Sequence, residues 1–224
     1  MKLRKVVLII ASVIIVDQVL KIWIKTSYPF GNVTNVMGLK WFNLYFIENE
    51  GMAWGWKFGG EWGKMILTLF RLGAVIFGTW YLGRIVRHHY HKGFIVCAAL
   101  IYAGALGNLI DSMFYGLIFS GSDYSTIARI FPHGGGYAGF LHGRVVDMLH
   151  FPLIESTFPK WVPVWGGEKF EFFSPIFNIA DASISIGVIT LLLFQKRFFK
   201  KQQHTENHPV VETSTKVNDE VQVL

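Results

Sequence analysis

Four stretches of this chain are apolar over lengths that a soluble core rarely needs, and they constrain the fold more than any other feature. They run over 6–24 (VVLIIASVIIVDQVLKIWI), 65–83 (MILTLFRLGAVIFGTWYLG), 93–119 and 177–194. A bilayer crossing takes about 20 such residues. Only 16% of the residues are charged, against about 25% in soluble domains, so a multi-pass membrane protein is expected. MKLRK ahead of the first stretch resembles the start of a signal peptide. The run lacks a small-residue cleavage site and is interrupted by Asp17, so a retained helix is expected. The single cysteine, Cys97, excludes an intramolecular disulfide, a Cys-rich zinc site and a CxxC redox motif, and reads as a small buried hydrophobe.

Lysine and arginine collect on the cytoplasmic side of such spans. Lys2, Arg4 and Lys5 precede the first span, Arg84, Arg87 and Lys92 crowd the connection between the second and third, and KRFFKK (196–201) follows the fourth. The connections 25–64 and 120–176 carry bases offset by Glu48, Glu50, Glu61, Asp123, Glu155, Glu168 and Glu171. Both termini are therefore expected in the cytoplasm and both long connections outside. The formal charge of +6 then marks the cytoplasmic face, and no nucleic-acid partner is expected. LKWFNLYFIENEGMAWGW (39–56) is aromatic and partly alternating, which favours strand and suits the membrane interface. The second outer connection, with FPHGGGYAGF and FPKWVPVWGG, predicts irregular or β structure lying on the membrane surface. The expected fold class is an all-α membrane protein of four transmembrane helices with a small β-rich extracytoplasmic region. One integral membrane domain is expected over 1–201, and a disordered cytoplasmic tail over 202–224.

Polar residues inside the spans then fall at one depth. Asp17 and Lys21 lie four apart on one face, in the outer half of the first span. Asn108 and Asp111 lie three apart in the outer half of the third, and Asn178 and Asp181 three apart where the fourth begins. At 1.5 Å per residue, Asp181 is only about 6 Å below the start of its helix. An ionised side chain at the bilayer centre costs about 2.5–3.5 kcal/mol on the lenient scales, which marks these residues as functional candidates. Each pair also has an ordinary explanation. Asp17 and Lys21 make an interfacial ion pair, Asn108 a helix–helix hydrogen bond with Gly104 and Gly107 allowing close approach, Asn178 a helix cap, and Asp181 a charge at a helix N-terminus. Three such pairs at one level point instead to a shared site.

A second acid for chemistry is sought among Asp123, Asp147 and the outer glutamates. Asp147, between apolar neighbours in GRVVDMLHF, suits a short buried strand or re-entrant segment and ranks first; Asp123, in SGSDYST, reads as a solvated turn. His88, His89 and His91 belong to the basic turn, and His133, His142 and His150 have no metal-ligand spacing. Ser112 and Ser183 have no base evident nearby for nucleophilic catalysis. Arg71, about two helical turns from the outer end of the second span, is assigned no role and is expected to snorkel outward.

At these residues the chain resembles the lipoprotein signal peptidases (signal peptidase II), four-helix membrane aspartyl proteases of bacteria. The resemblance rests on DQVLK (17–21), NEGMAWG (49–55), GALGNLID (104–111), VVDM (145–148) and FNIADASISIG (177–187), in that order. It implies a catalytic pair at Asp147 and Asp181, and supporting or substrate-contacting roles for Asp17, Lys21, Asn49, Gly51, Asn108, Asp111 and Asn178. The family often carries Arg directly after the Asp of GNxxD, where this chain has Ser112, and Arg144 is expected as a substitute cation. The outer insertion between about 119 and 143 is longer than the family pattern suggests.

The implied substrate is a prolipoprotein whose cysteine carries a diacylglyceryl group, cut just before that cysteine at the outer face of the bacterial cytoplasmic (inner) membrane. Membrane lipid is the other implied partner, and a monomer is expected. Two nearby carboxylates share one proton because like charge and desolvation raise one pKa, so water is activated with no metal, cofactor or covalent intermediate. The alternative from another class is a small ion- or proton-coupled transporter, which predicts polar groups spread through the membrane thickness. A membrane scaffold predicts acids that tolerate Asn substitution.

Overall fold

The computed structural model describes residues 1–39, 41–49, 60–152, 154–161, 163–172 and 174–199. The expectations for Gly51 and for the tail over 202–224 fall outside the described residues. The helices are α1 (Leu3–Ser27), α2 (Gly60–Arg87), α3 (Lys92–Ile110), the short α4 (Gly116–Ile118) and α5 (Ile179–Phe198), with a π-helical turn, Asp111–Tyr115, joining α3 to α4. Among the described residues, four helical stretches are long and apolar enough to cross a membrane, the third running through the π turn to Ile118. In that third stretch half of the most apolar window is buried, against 17% in each of the others. α3 is thus the axis of the bundle, packed chiefly on α5 and α1 and then on α2. The outer helices leave Leu8, Ile15, Val19, Ile66, Phe70, Leu192 and Leu193 exposed, as helices facing lipid require.

Glycine makes the tightest of these contacts possible. A Cβ on Gly104 would lie 2.2 Å from the carbonyl oxygen of Ala180, and one on Gly107 would lie 3.0 Å from Asp17 Oδ2. Small residues let membrane helices approach closely, and here that approach sets the start of α5 beside the polar half of α3. Gly104→Ala is expected to cost about 1–3 kcal/mol through overpacking. Thermal unfolding in detergent measures it, and an unchanged midpoint would count against this packing.

The outer connections form strands β1 (Val33–Asn35), β2 (Asn43–Asn49), β3 (Val145–His150), β4 (Ile154–Thr157), β5 (Lys169–Phe172) and β6 (Ile176–Phe177). β1, β2, β3 and β6 make one antiparallel sheet in that order, and β4 with β5 makes a separate hairpin. Asp147 therefore sits on a short strand and is buried, as expected of its apolar neighbours. The sheet packs on the bundle through a core of Ile24, Phe46, Tyr115, Phe119, Val146 and Met148. A second core, including Val6, Ile85, Phe94 and Ile95, closes the other end of the helices.

Two irregularities position the site. Between Leu44↔Leu149 and Ile47↔Asp147 the β2–β3 register shifts by one residue. Opposed residues share a face and successive residues alternate, so this bulge brings Asn49 to the face of Asp147; unbroken register would point it away. The second is the π turn. The returning segment of the insertion satisfies carbonyls there: Gly143 N–H donates to Ser112 O (2.9 Å), Leu141 N–H to Met113 O (3.3 Å) and Ala138 N–H to Gly116 O (3.0 Å). The insertion is also tied to α1 and β2. Lys25 Nζ donates to Glu48 and to Ser122 Oγ (2.8 Å), and Ser122 Oγ donates to Glu48 Oε1 (2.8 Å).

Candidate active site

Lys21 is the hub of the polar layer. Its fully buried ammonium lies 2.8 Å from Asp17 Oδ2, 2.8 Å from Asp111 Oδ2 and 2.9 Å from Asn108 Oδ1. An ammonium has three donors, so each is used. Gln18 closes the same group: its amide donates to Asp111 Oδ1 (2.8 Å) and its oxygen accepts from Tyr115 OH (3.1 Å). Asp17 reaches α5 as well, its Oδ1 accepting from Ala180 N–H at 2.8 Å. That N–H is one of the orphan donors at a helix N-terminus, where an anion is favoured.

Asn108 and Asn178 connect this hub to the two acids. Asn108 Nδ2 donates to Asp181 Oδ1 at 2.7 Å. Asn178 caps α5, its side-chain oxygen accepting from Asp181 N–H at 2.8 Å, while its amide donates to Asp147 Oδ1 at 2.7 Å. The same amide reaches Asn108 Oδ1 (3.2 Å) and Val146 O (3.3 Å). Asn49 Nδ2 donates to Asp147 Oδ2. The ordinary role of Asn178 as a cap and its place in the site are thus one structural fact: the cap holds Asp181 in the first turn of α5 and Asp147 beside it.

Burial pushes the Asp147 carboxyl up to about 8, with the charge of Asp181 adding to the shift and the Asn178 hydrogen bond opposing it. At neutral pH Asp147 therefore favours its protonated form. The arrangement offers two carboxyls, that of Asp147 with a raised pKa, and fixed amides orienting both. Among the described residues no group of three or more His, Cys, Asp or Glu side chains is arranged to hold a metal ion.

Seven of the residues singled out in the sequence, Asp17, Lys21, Asn108, Asp111, Asp147, Asn178 and Asp181, join one connected network, with Asn49 attached from β2. Arg144 lies elsewhere. It is 3.6 Å from Glu48 and over the ring of Tyr137, with 41% of its side chain exposed. The guanidinium that reaches Ser112 is Arg71's, its Nη1 donating to Ser112 Oγ at 3.0 Å. The expectation that Arg71 snorkels outward is corrected by that contact, since a hydroxyl inside the protein offers a partner closer than the interface. Gln18 and Tyr115 were not singled out; the only signal was the position of Gln18 within DQVLK.

Comparison with known proteins places this geometry in a family. Residues 9–197 match the family model described as signal peptidase (SPase) II. A lipoprotein signal peptidase of Porphyromonas gingivalis is 50% identical over 195 residues, covering 87% of this chain and 84% of that protein. One of Amoebophilus asiaticus is 32% identical over 182 residues, covering 80% and 72%. A bacterial membrane enzyme solved by the in meso method at 1.9 Å superposes with a TM-score of 0.56 at 26% identity, covering 86% of this chain and 93% of its own.

Proposed function

The chain belongs to the signal peptidase II family and is a membrane peptidase of lipoprotein signal peptides; from that premise we propose that Asp147 and Asp181 are its catalytic pair. The substrate is a diacylglyceryl-modified prolipoprotein, cut just before the lipidated cysteine. The observation that carries this reading is the junction at Asn178, whose amide binds the Asp147 carboxyl of β3 while its oxygen caps the N–H of Asp181 at the start of a membrane helix.

Asp181, at a helix N-terminus and accepting from Asn108, is the ionised partner and takes a proton from water as its oxygen attacks the scissile carbonyl. Asp147 carries the other proton and donates it to the carbonyl oxygen, giving a neutral gem-diol. Collapse of the gem-diol breaks the C–N bond. The proton held by Asp181 passes to the leaving amine, and a gem-diol hydroxyl proton returns to Asp147. The acids titrate as a coupled unit, with the proton shared between them. The site lies at the extracytoplasmic face of the bacterial inner membrane, with both termini in the cytoplasm as the Lys and Arg distribution directs. The lipidated end of the substrate is at that same face, which is why the acids stand where α5 begins. One chain holds both acids, so a monomer suffices.

The test is cleavage by purified protein in lipid of the same prolipoprotein with and without its diacylglyceryl group. Mass spectrometry should show a product beginning at the lipidated cysteine and no product from the unmodified chain. Cleavage elsewhere, or equal cleavage of both, would sink the reading. The pH profile follows from the raised pKa of Asp147. Below about 8 the pair keeps its proton; above, it loses it, so kcat/KM is expected to fall about tenfold per pH unit on the alkaline side. A rate flat to about pH 10 would remove Asp147 as the acid.

A further inference from the structure

We propose that Arg71 is a positioning residue of the catalytic pair, holding the negative charge on Asp181 from a seat on Ser112; this rests on the assignment of Asp147 and Asp181 made above. The charges of the site motivate it. Asp17 and Lys21 come from α1, Asp111 from the π turn, Asp147 from β3 and Asp181 from α5. Lys21 is the one cation in the hydrogen-bonded network described above, and its three donors go to Asp17, Asp111 and Asn108. The partners that tie Asp147 and Asp181 into the network are neutral: the amides of Asn49, Asn178 and Asn108, and the cap on Asp181 N–H. Lys25, Glu48 and Arg144 form the separate cluster at the insertion.

Arg71 enters from α2, a helix with no other member in the network described above. Its guanidinium donates to Ser112 Oγ (3.0 Å), and that hydroxyl donates in turn to the carbonyl of Asn108 (2.9 Å). Asn108 is the residue whose side chain holds Asp181. The carboxylates whose charges act on Arg71 are Asp181 first, then Asp111 and Asp147. Ser112 is 2% exposed, so the seat is inside the protein, where a guanidinium interacts with an acid far more strongly than in water. A guanidinium fixed on that seat stabilises the single negative charge shared by the catalytic pair. Lys64, two turns earlier on α2, is the other basic residue of that helix's outer half.

The variants are R71Q, R71S, S112A and the exchange R71S/S112R, which returns a guanidinium to the position Arg71 now touches. Each is assayed for kcat, KM and the acid limb of the pH profile in lipid, after thermal unfolding shows it folded. R71Q is expected to lower kcat about tenfold or more with KM changed less than about threefold. Its acid limb should move up by about one pH unit as the coupled pair loses that cation. S112A should move the limb in the same direction by less, and the exchange should bring it back toward wild type relative to R71S. An acid limb that stays in place in R71Q overturns the proposal, whether or not the rate falls. Where R71Q does not fold, an unmoved limb in S112A together with no recovery in the exchange overturns it. Wild type that fails to cut the lipidated prolipoprotein would instead overturn the assignment of function.

Discussion

Asp147→Asn and Asp181→Asn are each expected to lower the rate of prolipoprotein cleavage by about a thousandfold, while the protein still folds. General acid–base contributions run to about 10²–10⁴-fold, and under the proposed assignment each substitution removes one of the two roles outright. An amide in place of Asp181 accepts no proton from water, and one in place of Asp147 has none acidic enough to give. The fold should survive because the partners remain. Asn178 N-caps α5 through its own oxygen, and in Asp181→Asn the carbonyl of the introduced amide still accepts from Asn108. In Asp147→Asn the introduced amide keeps an oxygen for Asn178 on one side, so its cost is confined to the Asn49 contact. Single-turnover cleavage in lipid, followed by the release of the signal peptide, measures the rate. Activity within about tenfold of wild type in either folded variant would take that residue out of the chemistry.

Lys21→Met has the second large effect, and it is on stability rather than rate. The ammonium is fully buried between Asp17 and Asp111, themselves 1% and 0% exposed. Removing one partner of such a cluster leaves uncompensated buried charge and typically costs about 3–5 kcal/mol. Methionine fills the stem volume, so the loss reports the charge and not a cavity. Asn108 Oδ1 keeps only the Asn178 amide of its two donors, and Asp17 is freed from one side of its bridge to α5. Thermal unfolding in detergent should show a drop of many degrees, with Lys21→Arg only partly relieving it because the longer fork does not fit three acceptors placed for an ammonium. Wild-type stability in Lys21→Met would mean that the cluster carries little of the fold. Gln18→Ala should cost less, since it removes the hydrogen bonds of an uncharged side chain and leaves the ion pairs in place.

Much of this arrangement was legible in one dimension because a membrane simplifies the reading. Apolar length alone delimits the four spans: the first two helices found extend the expected ranges by a few residues at each end, the third matches its range to one residue at each end (Lys92–Ile118), and the fourth starts two residues later than expected and runs further, Ile179–Phe198. Depth follows from position along a helix, so Asp17, Lys21, Asn108, Asp111, Asn178 and Asp181 could be set at one level from spacing alone. The N-terminal Asn–x–x–Asp of α5 likewise carried its own cap. Asp147 was harder. Its apolar neighbours implied a buried strand, but a strand's partner and register are non-local, and the family resemblance rather than spacing placed it opposite Asp181.

The chain's residue pattern by itself determined four helices long and apolar enough to cross a membrane and gathered the polar groups at one level along them, because hydropathy and helical rise are local and additive along the chain. Tertiary structure alone decided which groups meet. One extra residue in β2 turns Asn49 to the face of Asp147, a π turn capped by the returning insertion sets Ser112 and Asp111, and α2 swings Arg71 to Ser112 while Arg144 goes to Glu48. Each of these depends on contacts between segments far apart in sequence, whose energies exist only after the helices have packed.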